Sequence, residues 1–596
     1  MLTRTRIRKR SIVSALALLF GSAATVSAAD EQIGTKTTDS YPSIADYLAI
    51  DRGHVHHVNA TIPEDIAPAP VADAVADAVA DAVADAIVSE APAAPLQDHM
   101  QNAIGSEPAA PHTATPAPVL DTAPPAYQPA YTPQASYNPA SMPCTCCKTN
   151  TCTKKKKEAA TAKMKGAFKG LFYANDYSYL NDKCYDGPSF LGDNLKGLAG
   201  GKLDLGGEAR VRYHSENNHR GLGLTGRDDE FWLTRIRLFA NYRLNDRFRI
   251  YGEYLYADSG GEVFNNRPIE ENRGEMQNLF LDTRLTDSLS VRVGRQEMNF
   301  GDQRLISALD WANTRRTFDG VRGTYKGDAW TVDGFFVHPV NRNAANESSI
   351  DDTNEDIDFY GAYASNSSTP LGTLEAFYLG LDNQVADFTY HTIGSRLVGK
   401  TDGGLLYEFL GGTQFGDNSP GFGSHSAGFF TGGLGRQLNL GDWKPTVWAW
   451  YDFASGDDEV PAARGDDGFD HLFPLAHKYL GFMDLFGRRN IHDLNFQFIT
   501  PIGKKVKMIL WYHNFWLDQA TTPYNVTLTP FNAGNVAGDR ELGQEIDLLF
   551  NINLNPRNNI LLGYSHFNSG AYYETTPGVP TSADADFFYF QFQTRF

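Results

Sequence analysis

The stretch Arg235-Ile236-Arg237-Leu238-Phe239-Ala240-Asn241-Tyr242-Arg243-Leu244 alternates between two kinds of residue over ten positions. A strand turns successive side chains to opposite faces, so the arginines collect on one face and the aliphatic groups on the other. The same period of two runs through Glu208-Ala209-Arg210-Val211-Arg212-Tyr213, through Arg249 to Tyr256, and through Asn278-Leu279-Phe280-Leu281-Asp282-Thr283-Arg284-Leu285. A soluble sandwich also alternates, but with shorter strands and a polar face turned outward. Here the polar positions hold many arginines, while apolar positions end in Tyr, Phe or Trp. That pattern fits strands with a lipid-facing band, aromatic girdles and a polar interior.

The connections supply a second sign. Short turns at Leu244-Asn245-Asp246-Arg247, Leu285-Thr286-Asp287-Ser288, Lys326-Gly327-Asp328 and Asn555-Pro556-Arg557-Asn558 alternate with polar loops. The loops run from Asp258 to Gly274, Asn341 to Glu355, Ser455 to Arg488 and Asp518 to Arg540. Outer-membrane barrels have short periplasmic turns and long external loops, and a closed ring leaves no unpaired edge for lipid to meet. Leu203 to Phe596 holds about eighteen candidate strands, a size that predicts an aqueous interior. The last stretch, Phe587 to Phe596, alternates and ends on an aromatic residue, as in barrels inserted by the barrel assembly machinery. That machinery and outer-membrane lipid are the expected partners. The expected fold class is all-β: a transmembrane antiparallel up-and-down β-barrel of about 18 strands, preceded by a disordered or helical N-terminal spacer.

Residues 1–28 read as a signal peptide. Arg4, Arg6, Arg8, Lys9 and Arg10 form a basic start, Ile12 to Phe20 an apolar run, and Val26-Ser27-Ala28 a small-residue cleavage pattern. That apolar run is too short to cross a bilayer as a helix, and no later stretch approaches the ~20 apolar residues required. Residues 29–142 read as a low-complexity spacer, expected in the periplasm. Within 71–88, Val71, Val75, Val79, Val83 and Ile87 repeat every four residues opposite Asp73, Asp77, Asp81 and Asp85. Such a helix carries one thin, slowly winding apolar stripe, enough to space or to associate weakly but not to build a core. A Pro/Ala-rich linker follows. Residues 143–200 form a Cys/Lys-rich periplasmic segment, and 201–596 the barrel. For Cys144, Cys146, Cys147, Cys152 and Cys184 two readings stand: a disulfide or interchain link at the barrel base, or a soft-metal site that lacks standard zinc spacing. The run Lys154 to Lys157 is a solvated cluster, or a contact for anionic headgroups or polysaccharide.

A formal net charge of −19 argues against nucleic acid as a partner. A mean hydropathy of −0.37 argues against a helical membrane protein. No GxSxG, HExxH or phosphate-loop string occurs, so neither a catalytic residue nor a resident cofactor is expected. Asp457-Asp458 and Asp466-Asp467 read as solvated turns, and His54, His56 and His57 lie in the spacer without an evident further ligand. Ca²⁺ at acidic loops such as Asp351 to Asp356 is a further metal expectation beside the cysteine cluster.

Two further strings carry a family likeness. Val293-Gly294-Arg295-Gln296-Glu297-Met298-Asn299-Phe300-Gly301-Asp302-Gln303-Arg304-Leu305, continued by Asp310-Trp311-Ala312-Asn313-Thr314-Arg315-Arg316-Thr317-Phe318-Asp319-Gly320-Val321, resembles the alginate export family. Ser455-Gly456-Asp457-Asp458, His477-Lys478-Tyr479-Leu480-Gly481 and Asn490-Ile491-His492-Asp493-Leu494 add to it. The likeness covers about residues 203 to 596. It implies an eighteen-stranded monomeric barrel conducting an anionic polysaccharide through an arginine-lined constriction. A polyuronate presents a carboxylate on every sugar, and arginine offers it a planar, permanently charged, bidentate partner. The candidate pore-lining residues are Arg210, Arg212, Arg235, Arg237, Arg249, Arg292 and Arg304, with Arg315, Arg316 and Arg322 near a loop placed to narrow the pore. Glu208, Glu253, Asp282 and Asp319 are expected to pair with them and hold their orientation, or such pairs only brace the wall. Acidic loops at the mouth oppose a polyanion unless divalent cations bridge them. An exporter or porin for an anionic oligo- or polysaccharide is therefore the leading expectation. A general diffusion porin for small solutes and an envelope-anchoring barrel stand as alternatives.

Overall fold

In the computed structural model the described residues are 152–596, apart from 166, 168, 222, 345–349, 442, 459–465 and 532–535. The signal peptide, the spacer with its 71–88 repeat, and Cys144, Cys146 and Cys147 lie outside them. The strands are β1 (Leu203–Asn217), β2 (Asp229–Arg243), β3 (Phe248–Gly260), β4 (Asn272–Arg284), β5 (Leu289–Gln296) and β6 (Phe318–Lys326). Next come β7 (Thr331–Pro339), β8 (Ile357–Thr369), β9 (Gly372–Asn383), β10 (Phe388–Lys400), β11 (Leu405–Asp417) and β12 (Ser424–Gln437). The ring ends with β13 (Thr446–Ala454), β14 (Ile491–Ile502), β15 (Val506–Trp516), β16 (Glu541–Asn555), β17 (Asn558–Ser569) and β18 (Ala585–Arg595). Each strand pairs antiparallel with the next, and β18 pairs with β1 in a register that sets Tyr213 opposite Phe590 and Glu208 opposite Arg595. The result is a closed 18-stranded up-and-down barrel, as the alternation predicts.

Burial along the strands is inverted relative to a water-soluble sandwich. On β2, Arg235 and Arg237 are fully buried while Trp232, Ile236 and Leu238 are about half exposed. On β18, Gln591, Gln593 and Arg595 are buried while Phe588 and Phe592 point outward. The buried polar and charged side chains of these strands lie on the inner face, and apolar residues coat the outside. This is the stable arrangement only when the outer medium is hydrocarbon.

Short turns join the strand pairs at one end: 244–247, 285–288, 327–330, 370–371, 401–404, 438–445, 503–505 and 556–557. At the other end lie 261–271, 340–356, 455–490 and 517–540, close to the loops expected, although strands overrun the predicted edges so that Asp258 belongs to β3. Connections 384–387 and 418–423 are brief exceptions at that end.

The interior departs from the expected open, aqueous lumen. Loop 297–317 folds inward and meets the long loop 455–490: Ser307 N–H donates to Phe473 O at 2.8 Å, and Phe473 N–H to Leu305 O at 3.0 Å. Leu305, Ile306, Trp311, Phe473, Phe482 and Phe486 pack there against inward residues of the wall, including Phe318, Phe359 and Phe515. Gly294 on β5 and Gly320 on β6 lie opposite each other at the root of loop 297–317, both with positive φ. A Cβ at either would come 2.3 Å from a neighbouring strand's carbonyl oxygen, so glycine is required at this pair.

The expected Cys/Lys-rich segment also differs from a trailing tether. Helix α1 (Lys154–Lys165) precedes residues 169–195, which pack against the short-turn end of the barrel. Cys152 and Cys184 form an intramolecular disulfide with Cα atoms 5.4 Å apart, which selects the disulfide reading for these two cysteines.

An inverted barrel makes the middle of β2 intolerant of charge on its outer side. Ile236→Arg is expected to lower folding stability in lipid by about 2–4 kcal/mol, read by denaturant titration in liposomes. A change under 0.5 kcal/mol would show that this face does not meet hydrocarbon.

Candidate functional site

The candidate site is the interior of the ring at mid-height. Period-two geometry on β1 and β2 turns Glu208, Arg210 and Arg212 inward beside Arg235 and Arg237, with Arg210 directly opposite Arg235. Like charges so placed need anions or dipoles between them, and loop 297–317 supplies both. Asp310 accepts from Arg235 at 2.5 Å and is paired with Arg315. Glu297 is paired with Arg315 and lies 3.6 Å from Arg237. The wall's own acids complete the set, with Glu208 2.7 Å from Arg235 and Glu253 2.6 Å from Arg237.

Arg210 and Arg212 are held differently. Arg210 donates to Asp310 O at 2.7 Å and to Trp311 O, Ala312 O and Asn313 Oδ1, each at 3.2 Å. Arg212 donates to Gln591 Oε1 at 2.9 Å and to Trp311 O at 2.9 Å. Its guanidinium stacks 3.6 Å from the Trp311 ring, which also stacks on His477 at 3.6 Å and 13°. Among the described residues neither arginine takes part in an ion pair, and their direct acceptors are neutral carbonyls and amides.

The remaining candidates are also inside, and each is engaged. Asp282 bridges Arg249 and Arg292, the latter at 2.7 Å. Arg304 meets Asp452 at 2.7 Å and Asp302 at 3.0 Å, and lies over the Tyr479 ring at 3.7 Å. Arg322 meets Asp333 at 3.0 Å, and Arg316 lies 5.1 Å from the Phe473 ring. Glu208, Glu253 and Asp282 pair with candidate arginines as expected. Asp319 instead pairs with Arg295 at 2.8 Å, because β5–β6 register sets those two opposite each other.

Charge is unevenly spread around the wall. Arginines crowd β1 to β6, whereas β13 to β16 carry none and turn Asp452, Asp493, Glu545 and Asp547 inward. Sequence reasoning passed over Arg295, Arg396 and Arg595, which sit on inward strand positions that alternation could have marked. Arg396 binds Glu408 at 2.9 Å and Glu375 at 3.0 Å. Arg488 and Arg489, which meet Asp452 and Asp466, lie in loop 455–490, where no period exists to read. In the same loop burial raises the Asp484 carboxyl and lowers the His477 imidazole well away from their ordinary values. Both shifts favour the neutral forms, which share a 2.7 Å hydrogen bond. Among the described residues no group of three or more His, Cys, Asp or Glu is arranged to hold a metal ion.

The sequence profile of alginate export proteins matches residues 202–584, nearly the whole barrel. The chain belongs to the alginate export family. No curated protein matches it. Among solved structures it is similar to Pseudomonas aeruginosa OccK8 (OprE), at 13% identity and a TM-score of 0.46, covering 66% of this chain and 98% of that one. It is similar to P. aeruginosa OpdK with vanillate, at 11% identity and a TM-score of 0.46, with the same coverage of 66% and 98%. A BenF-like porin from Pseudomonas fluorescens Pf-5 matches at 12% identity and a TM-score of 0.45, again over 66% and 98%. The closed barrel and the family match together make this chain an outer-membrane porin or exporter.

Asp310 ties the inserted loop to the arginine wall. Replacing one partner in a buried pair costs about 3–5 kcal/mol, since the other charge is left uncompensated. Asp310→Asn is therefore expected to loosen loop 297–317, read as faster cleavage by an added protease, with a lower melting temperature. An unchanged melting temperature would show that the pair does not hold the loop.

Proposed function

We propose that this barrel passes an anionic oligo- or polysaccharide of the uronate type along inward arginines. In this reading the short-turn end and residues 152–202 face the periplasm and the long loops face outward. The observation that carries it is Arg210 and Arg212: two buried guanidiniums at mid-lumen whose acceptors are carbonyls and amides. A carboxylate arriving there supplies the missing charge, and charge-assisted hydrogen bonds contribute about 1.5–3 kcal/mol each. The neighbouring guanidiniums already bind the carboxylates of Glu208, Asp310 and Glu297, so a uronate exchanges with groups of its own kind. Moderate, repeated sites of this sort let a chain advance step by step.

A diffusion porin for small solutes is the second reading. It is favoured by the acids interleaved among most of the arginines and by the acidic face of β13 to β16, which together bring the lumen nearer to neutrality.

Planar-bilayer currents separate the two. Oligouronates are expected to block more strongly than neutral oligosaccharides of equal length. Arg210→Gln with Arg212→Gln should weaken that block about tenfold, corresponding to about 1.4 kcal/mol. Equal block by charged and neutral sugars would remove the anionic cargo and leave the diffusion porin.

A further inference from the structure

Residues 169–195 enter the ring from the short-turn end and cover arginines of the wall. Gly170 O accepts from Arg237 Nη1 at 3.4 Å, and Tyr173 O from Arg249 Nη1 at 2.9 Å. The Phe172 ring lies 4.0 Å beneath the Arg237 guanidinium, and the Tyr173 ring 4.2 Å from that of Arg292. Tyr173 also packs edge-on against Phe280 at 5.3 Å and Tyr251 at 5.8 Å, and Phe172 lies 5.5 Å from Phe239. Deeper in, the Tyr173 hydroxyl donates to Glu297 O at 2.8 Å, so the segment reaches the inserted loop. At the rim, Arg557 in the turn between β16 and β17 is bound by Asp193, Leu191 O and the Tyr179 hydroxyl. Phe172, Tyr173 and Tyr179 are buried almost completely.

Three features distinguish this segment from the inserted loops. First, every strand of the ring lies at or beyond Leu203, and β1 closes on β18 without any residue of 169–195. The wall is complete without it. Second, loop 297–317 is joined to strands at both ends and braced by the buried pairs of Asp310 and Arg315, whereas residues 169–195 join the wall only through β1. Third, the disulfide between Cys152 and Cys184 closes a covalent loop containing α1 and the inserted aromatics. A closed loop has fewer unfolded arrangements, so the bridge favours the docked form over a loose chain.

We propose that residues 169–195 are a built-in plug that closes the short-turn mouth of the barrel, that the Cys152–Cys184 disulfide holds it docked, and that conduction requires its withdrawal. Its backbone carbonyls act as placeholders on Arg237 and Arg249. Leaving, it frees donors on both and uncovers Arg292 and Arg557, opening a cationic entrance. The plug restricts any solute, so the proposal does not depend on the cargo.

Single-channel currents in potassium chloride test it with the full chain in planar bilayers. The full chain is expected to be shut most of the time. Deleting 169–195 should raise the mean conductance several-fold, and Cys152→Ser with Cys184→Ser should raise the open fraction of the otherwise intact chain. Heat-modifiable electrophoretic mobility shows whether each barrel is folded. If the deletion does not fold, Phe172→Ala with Tyr173→Ala in the full chain takes its place, and its open fraction should rise. A folded deletion that conducts like the full chain overturns the proposal. A folded deletion that stays shut overturns it too, because the inserted loops then close the lumen unaided. An open fraction unchanged in the Phe172 and Tyr173 variant counts equally against it. An open deletion that lacks oligouronate selectivity keeps the plug and removes only the anionic cargo.

Discussion

The pairing of β18 with β1 is the constraint on which the rest of the structure depends. A strand edge in hydrocarbon leaves a row of N–H and C=O groups with no partner, at several kcal/mol each. Closing the ring removes that cost for every strand at once. It also sorts the side chains, because a closed pleated wall has one face in lipid and one face inside. Ile236 and Arg237 are neighbours in the chain and face opposite solvents for this reason alone.

The interior then poses an electrostatic problem that the chain solves with its own connections. Arginines on adjacent inward positions, such as Arg210 and Arg235, repel one another in a space where water is scarce. Loop 297–317 brings Asp310, Glu297 and a row of carbonyls into that space, and the aromatic ring of Trp311 stacks on Arg212. From the short-turn end, residues 169–195 do the same for Arg237 and Arg249 with carbonyl oxygens. The interior beside β1 to β3 is therefore a network of guanidiniums and their acceptors. Such a network stabilises the closed barrel, and in the proposed function it is where an anionic solute would be received.

Membership of the alginate export family and the geometry of the wall are consistent at different levels. The family match spans β1 to β17 and the inserted loop, whereas α1, the plug and the disulfide lie before residue 202. The elements that restrict the short-turn mouth in the proposed plug thus lie outside the matched stretch. No strand pair of the ring depends on them.

Much of this was legible in order of increasing distance. Strand existence, the inside-out burial and the near-alternation of short and long connections follow from period-two patterning and turn residues, which are local properties that the chain cannot hide. The inward orientation of Arg210, Arg212, Arg235 and Arg237 follows from the same period. Glu208 and Glu253 were legible as partners on the wall, but the partners that the loop supplies were not. Asp310 lies far along the chain from Arg235, and Asp319 meets Arg295 rather than a candidate arginine because cross-strand register, not spacing along one strand, decides which groups face each other. Nor does composition say that loops 297–317 and 455–490 fold inward, or that residues 169–195 dock. Those choices rest on whether buried charges elsewhere in the ring require acceptors. The amino-acid sequence by itself determined a lipid-facing, arginine-bearing barrel wall, while only the tertiary structure decided that the wall encloses a filled lumen, because filling depends on contacts between segments that no local pattern records.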